Sequence, residues 1–295
     1  MSDFDDPAGT IRLNPVELHY DRFAEREWER LDRHRMEFAV TCRVLDEQLP
    51  PPPGRILDVG GGPGRYALHL TQLGYRVTLI DLSQRSLDLA LEKATAAGIY
   101  LPSPLRGDAT ALPDRLEGAA EDFSGIFDAV LLMGPLYHLL AEVDRLAAVR
   151  EACRALRPGG LIFASFITRF APLRDVAIHS PRWIVDHPNR YRQMLNEGRN
   201  PAREDSAFPD SYFAHPDEIM PLMDAGGFRH LLLQGCEGIL AGHEETVNAA
   251  DDELWPAWVD LNYRLGREPS LWGAADHLLY VGAKPVPPPD ETAGI

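Results

Sequence analysis

The residues best suited to chemistry begin at Asp58-Val-Gly-Gly-Gly-Pro-Gly64, a glycine loop preceded by an acid. Glycine permits a tight turn and lets a ligand come close to the backbone. Asp81 follows Gly60 by roughly twenty residues, the offset expected of a carboxylate that accepts from two adjacent ribose hydroxyls. Gly107-Asp108-Ala109 adds a third acid, and Met133-Gly134-Pro135-Leu136-Tyr137-His138 ends on an imidazole. An ordinary histidine, with a pKa of about 6.5, suits proton abstraction near neutrality. The chemistry these types imply is a nucleoside-bearing ligand held beside a general base. The glycine spacing departs from the dinucleotide pattern GxGxxG/A, because the sixth position is Arg65 and the third glycine, Gly64, comes one residue early. There is no HExxH, and Cys42, Cys153 and Cys236 are far apart, so neither a metal site nor a disulfide framework is expected.

These groups need strands that end where the ligand sits. Short apolar runs are predicted as strands over 55–60, 76–82, 105–108, 127–133, 161–168, 229–235 and 277–283. Helices are predicted over 65–73, from Ser83 as N-cap to about 97, and over 144–156, 215–226 and 243–266. This alternation predicts an α/β fold with a seven-stranded, mostly parallel, Rossmann-like sheet and helices on both faces. Residues 1–53 read as an N-terminal helical segment stopped by Pro50 to Pro53, and 54–285 as the main domain. Residues 170–211, rich in Arg, Pro and aromatic side chains with weak periodicity, read as an insertion after the fifth strand, and 286–295 as a flexible tail.

Five motifs occur in order over residues 55–168: the acid-led glycine loop, Asp81, Gly107-Asp108-Ala109, Phe127-Asp128-Ala129-Val130 leading to Met133-Gly134, and Leu156-Arg157-Pro158-Gly159-Gly160. In that order they resemble the class I S-adenosylmethionine (SAM)-dependent methyltransferases, whose first motif is usually (D/E)xGxGxG and whose fifth strand follows an LkPGG turn. The resemblance implies SAM as cofactor, with S-adenosylhomocysteine as product. It implies that Asp58, Gly60, Gly61, Gly62 and Gly64 surround the amino-acid end, that Asp81 and Leu82 meet the ribose, and that Asp108 and Ala109 meet the adenine. Met133 and Gly134 complete the donor wall, while Tyr20 or Arg30, on a segment that relatives fold over the pocket, would meet the donor's carboxylate.

Methyl transfer is an in-line displacement that needs alignment and desolvation more than a fixed catalytic set. His138 is the candidate base; its alternative is a loop anchor or a contact to SAM. Acceptor-side candidates are Trp28, Tyr137, His138, Arg169, Tyr212 and His215, each with packing or a solvated surface as its alternative. Arg174, Arg182, Trp183, Arg190, Tyr191 and Arg192 share the insertion and could form an acceptor lid; Glu237 and His243 are weaker candidates still.

The 295 residues carry a formal net charge of −16, which argues against nucleic acid as partner. The Asn/Asp-Pro-Pro-Tyr/Phe motif of nucleic-acid methyltransferases is absent; the chain reads Gly134-Pro135-Leu136-Tyr137. No run is long enough for a membrane span, and the acidic start MSDFDDPAGT is unlike a signal peptide, so a cytoplasmic protein is expected. The expected activity is transfer of a methyl group to O, N or C of a small-molecule acceptor. Two rivals are a catalytically silent SAM-binding regulatory subunit and an NAD-dependent oxidoreductase. The sequence leaves the oligomeric state open.

Overall fold

Apolar runs give the strands, and the near-complete burial of the central ones requires cover on both faces. In the computed structural model, which describes residues 14–115, 122–200 and 209–288, nine strands form. They are β1 (Arg55–Val59), β2 (Arg76–Asp81), β3 (Leu105–Arg106), β4 (Phe127–Leu132), β5 (Leu156–Ile167), β6 (Arg199–Asn200), β7 (Ser211–Tyr212), β8 (Arg229–Gly235) and β9 (His277–Ala283). Seven make one sheet in the order β3-β2-β1-β4-β5-β9-β8, and β6 and β7 pair separately. The pairs from β3 to β5 are parallel, and β9 runs antiparallel to both β5 and β8. The expected α/β class, with a seven-stranded, mostly parallel sheet, is therefore observed.

The helices are α1 (Pro15–Arg33), α2 (Arg35–Gln48), α3 (Arg65–Gln72), α4 (Gln84–Ala96), α5 (Glu142–Ala155), α6 (Ala171–His179), α7 (Trp183–Asp186), α8 (Pro188–Glu197), α9 (Pro216–Ala225), α10 (Glu244–Asn248) and α11 (Leu254–Leu265). Two apolar clusters fill the two faces. One, around Leu57, Val130, Phe127 and Tyr280, packs under α5 and α9. The other, around Val44, Ile56, Leu79 and Phe163, packs under α2, α3 and α4.

Several details differ from expectation for local physical reasons. The N-terminal segment is two helices, broken at His34, whose φ of −100° and ψ of 57° are not helical. The helix expected over 243–266 is interrupted, because Asp251 Oδ1 accepts from the backbone of Glu253 and Leu254 and starts α11 afresh. Arg157-Pro158-Gly159-Gly160 is an outpocketing of β5 itself: Phe127 pairs with Leu156, and then Ala129 pairs with Leu161. Proline cannot donate to the ladder and Gly159 has a φ of +76°, so the four residues bulge outward without ending the strand. The weakly periodic insertion contains α6, α7 and α8, each too short to display a clear helical period. The tail beyond Pro288, residues 1–13 and part of the insertion (201–208) lie outside the described residues. Among the described residues, no helix is long and apolar enough to cross a membrane.

Candidate active site

Parallel strands point their carboxyl ends at one edge of the sheet, and the loops there form the floor of a cleft. Gly60 N–H donates to Ile80 carbonyl at 2.7 Å, tying the glycine loop to β2. Gly62 N–H donates to Asp81 Oδ2, and Ser83 N–H to Asp81 Oδ1, each at 2.8 Å. Asp81 thus joins the loop to the end of β2. Gly60 needs its missing side chain: a Cβ there would lie 2.5 Å from Pro135 Cγ. Gly134 approaches from the other side, where a Cβ would lie 2.6 Å from Gly60 carbonyl oxygen. The loop after β4 therefore packs directly on the glycine loop.

The floor is acidic. Burial raises the Asp81 carboxyl to about 6, against the pull of the Ser83 and Gly62 N–H groups. Burial, with Asp81 as a second cause, raises Asp58 to about 7, and Asp58 Oδ2 has no hydrogen-bond partner. An orphaned buried carboxyl oxygen beneath a glycine cradle fits a ligand that brings donors of its own. Asp108 Oδ1 accepts from Thr110 N and Oγ1, both at 2.8 Å, which fixes the carboxylate in place.

The opposite wall is α1. Residues Glu17, Tyr20, Glu27, Arg30 and Leu31 line the cleft, which encloses about 1170 Å3 of empty space including its open mouth. Acids on the helix bond the rim of the sheet half. Glu17 pairs with Arg106. Asp21 Oδ1 accepts from Ser83 Oγ at 2.7 Å and Arg85 N at 3.3 Å. Glu25 pairs with Arg85 at 3.0 Å, and Asp32 with Arg65 at 2.9 Å. Single exposed pairs contribute little, but this set acts along one helix.

At the end of the cleft Tyr20 Oη lies 2.7 Å from His138 Nε2. His138 Nδ1 faces the Asp210 carbonyl at 3.4 Å, which assigns the ring hydrogen to Nδ1 and makes Nε2 the acceptor. Burial pushes the imidazole down to about 4, partly opposed by the Asp210 carbonyl. The expectation of an ordinary pKa is thus corrected: His138 is neutral at pH 7, and a weaker base than the residue type suggests. Burial also raises the Tyr20 and Tyr137 hydroxyls above their ordinary range, so both are neutral donors.

Of the residues singled out in the sequence, Asp58, Gly60, Gly61, Gly62, Asp81, Leu82, Asp108, Ala109, Met133, Gly134, Tyr20, Arg30, Tyr137 and His138 all line this cleft. Gly64 serves it indirectly, as the left-handed N-cap of α3, with a φ of +82°. Others are placed elsewhere. Trp28 packs against the core on another side of α1, with the Arg65 guanidinium 4.9 Å from its ring centre. Arg169 is buried, bonding Glu218 at 2.6 and 2.7 Å. Tyr212 also donates to Glu218, and His215 is the N-cap of α9. Arg169, Tyr212 and His215 thus build one structural network around Glu218. Arg174 pairs with Asp276, Arg182 with Asp186 at 3.4 Å, and Arg190 with Asn200 at 2.9 Å. His243 caps α10.

Sequence reasoning did not find Glu27, a cleft carboxylate bonded by Arg30 Nε at 2.9 Å. It also did not join Glu37, Glu237 and His277, which come from three distant stretches and bring ligand-type atoms within 4.8 Å of one another. Arg30 bonds Glu37 through two nitrogens, at 2.6 and 3.1 Å.

Residues 56–160 match a family profile described as a methyltransferase domain. The chain is 36% identical over 180 residues to a ubiquinone biosynthesis O-methyltransferase of Methylocella silvestris, covering 60% of this chain and 62% of that protein. It is 31% identical over 182 residues to a protein of the same description from Paracidovorax citrulli, covering 60% of this chain and 72% of the relative. The chain thus spans about three fifths to three quarters of the length of these relatives. Its fold is similar to that of a Burkholderia thailandensis 1,6-didemethyltoxoflavin-N1-methyltransferase solved with S-adenosylhomocysteine. The TM-score is 0.52 at 16% identity, with 96% of this chain and 93% of that one covered. A glycine loop tied to the acid that ends β2, the order of the seven strands and the sequence likenesses converge: the chain belongs to the class I SAM-dependent methyltransferases.

Proposed function

We propose that this protein transfers the methyl group of SAM to an acidic hydroxyl, such as a phenol, on a small-molecule acceptor. The observation that carries the reading is the Tyr20–His138 pair at the end of the cleft. SAM supplies a sulfonium-bound methyl group that is already electrophilic. The chain must bind it, exclude water and take a proton from the acceptor. Asp81 and Asp108 hold the nucleoside through ribose and adenine, and the glycine loop admits the amino-acid end. Wall α1, tied down by its acids, keeps water out.

Neutral His138 presents an Nε2 lone pair toward Tyr20. The acceptor hydroxyl donates to Tyr20 Oη, and the Tyr20 proton passes to Nε2 as the acceptor oxygen attacks. A base near pKa 4 is matched to an acidic hydroxyl far better than to an alkanol. The O-methyltransferase description of two relatives supports oxygen as the receiving atom.

The test is mass spectrometry of reactions holding SAM, purified protein and either hydroxylated aromatics or matched primary amines. The expected product is one methyl group heavier, formed only from the hydroxylated set and about a hundredfold or more slower in H138A. Methylation confined to the amines contradicts the oxygen assignment.

A further inference from the structure

Arg30 is the cleft cation whose anchoring reaches deepest into the fold. Its Nη1 and Nη2 lie 2.6 and 3.1 Å from the two oxygens of Glu37, and its Nε lies 2.9 Å from Glu27. A guanidinium has five N–H groups. Three are used here, leaving two for the cleft that Arg30 lines.

Behind Glu37 stands His277, the first residue of β9. Its Nδ1 is 2.6 Å from Glu237 Oε1 and 3.7 Å from Glu37 Oε2. Glu237 Oε2 also accepts the His277 backbone N–H, at 2.8 Å. Cys236 N–H donates to the His277 carbonyl at 3.0 Å, so the residue before Glu237 is fixed to the same strand end. Glu37 and Glu237 are 5% and 1% exposed.

Two buried carboxylates this close repel unless cations separate them. The groups facing His277 are Glu37 from α2, Glu237 after β8 and Arg30 from α1. His34, between α1 and α2, acts on Glu37 and is itself bonded to Glu244. Asp276, paired with Arg174, acts on Glu237. Burial works to lower the His277 pKa, but Glu37 and Glu237 overcome it and raise it to about 9. Burial likewise works against the Glu37 charge, and Arg30 and His277 bring that carboxyl down to about 2. Burial pushes the Glu237 carboxyl up, and His277, 2.6 Å away, pulls it back down. Imidazolium, two carboxyl groups and guanidinium form an alternating row that leads from the sheet edge to the cleft.

We propose that His277, clamped between Glu37 and Glu237, is a positioning residue that aims the free edge of Arg30 at the carboxylate on the amino-acid end of the donor. The proposal rests on the donor reading above. Glu27 supports it: its Cγ is 3.9 Å from where a Gly62 Cβ would sit, so the Glu27–Arg30 pair stands beside the loop that admits that end. Glu27 is then placed to accept from the donor's ammonium.

The test compares two nucleosides that differ in this end alone. S-adenosylhomocysteine carries the amino acid, and 5′-methylthioadenosine lacks it. Calorimetry of wild type and H277N gives the ratio of their affinities. Asparagine keeps a donor near the Nδ1 position and removes the charge. The expected result is a wild-type preference for S-adenosylhomocysteine that falls roughly tenfold or more in H277N, with methylthioadenosine binding unchanged. A fold defect alone would weaken both. The wild-type ratio should also fall as pH rises through about 9, where His277 loses its proton. That step should be missing from H277N, whereas titration of the ligand's own amine is common to both proteins. Should H277N not fold, E237Q keeps an acceptor for His277 and reads the same ratio. An unchanged ratio in the folded variant overturns the proposal. Failure of wild type to bind either nucleoside would sink the donor reading itself, and the proposal with it.

Discussion

Below the cleft, the deciding contacts are made by backbone: N–H groups of Gly60 and Gly62 on β2 and Asp81, and the carbonyl of Gly60 against Gly134. Above it, on α1, they are made by side chains: Glu17, Asp21, Glu25 and Asp32 on the basic rim, and Tyr20 on His138. A backbone floor tolerates almost no substitution and is insensitive to salt. A wall held by several separate side-chain pairs, some of them exposed, can be loosened by degrees. On the proposed function, the floor would fix which donor fits, and the wall would set how long the donor stays.

The largest expected effect is on the floor. G134A puts a Cβ against the Gly60 carbonyl and forces two loops apart, at a cost on the order of 2–3 kcal/mol in stability. SAM binding should be lost and the thermal midpoint lowered. Wild-type affinity in G134A would show that the close approach is dispensable.

Next is H138A, which spans floor and wall. Its turnover should drop about a hundredfold or more, with SAM affinity kept. The sign of the pH effect follows from the lowered pKa: His138 takes up a proton only as pH falls through about 4, so the acid limb of wild-type turnover should lie there and not near the ordinary histidine value. A limb near that ordinary value would remove His138 as the group responsible.

D81A should weaken SAM binding by on the order of 2–3 kcal/mol, from lost ribose hydrogen bonds and a released Gly62 N–H. Unchanged affinity would assign the ribose acid elsewhere. The smallest effect belongs to the wall. Neutralising Glu17, Glu25 and Asp32 together (E17Q, E25Q and D32N) should speed SAM release a few-fold. Added salt should speed release from wild type and leave the triple variant nearly unaffected. A salt-insensitive wild type would mean that these pairs do not hold α1.

The same contrast explains what the sequence disclosed. Floor residues are consecutive or one strand-helix unit apart, so the glycine loop and Asp81 could be named from spacing, and Asp58 and Asp108 from the resemblance that those motifs carry. The wall depends on which side of α1 faces inward. Tyr20 and Arg30 turn into the cleft with Glu27, whereas Trp28, about 100° further round the helix than Glu27, packs against the core and the Arg65 guanidinium. Arg169, Tyr212 and His215 were plausible acceptor residues by position after β5, but Glu218 draws all three into one structural network. The row Arg30–Glu37–His277–Glu237 joins residues more than two hundred positions apart, and no local pattern marks such a meeting. The pKa of His138 was likewise hidden, because burial by Tyr20 and the segment around Asp210 sets it.

The most direct test of the central claim is calorimetric titration of the purified protein with SAM, S-adenosylhomocysteine and NAD. Saturable single-site binding of the first two, with none of NAD, is the predicted result. Binding of NAD, or no binding of SAM, would contradict the account and return the cleft to a general nucleotide fold.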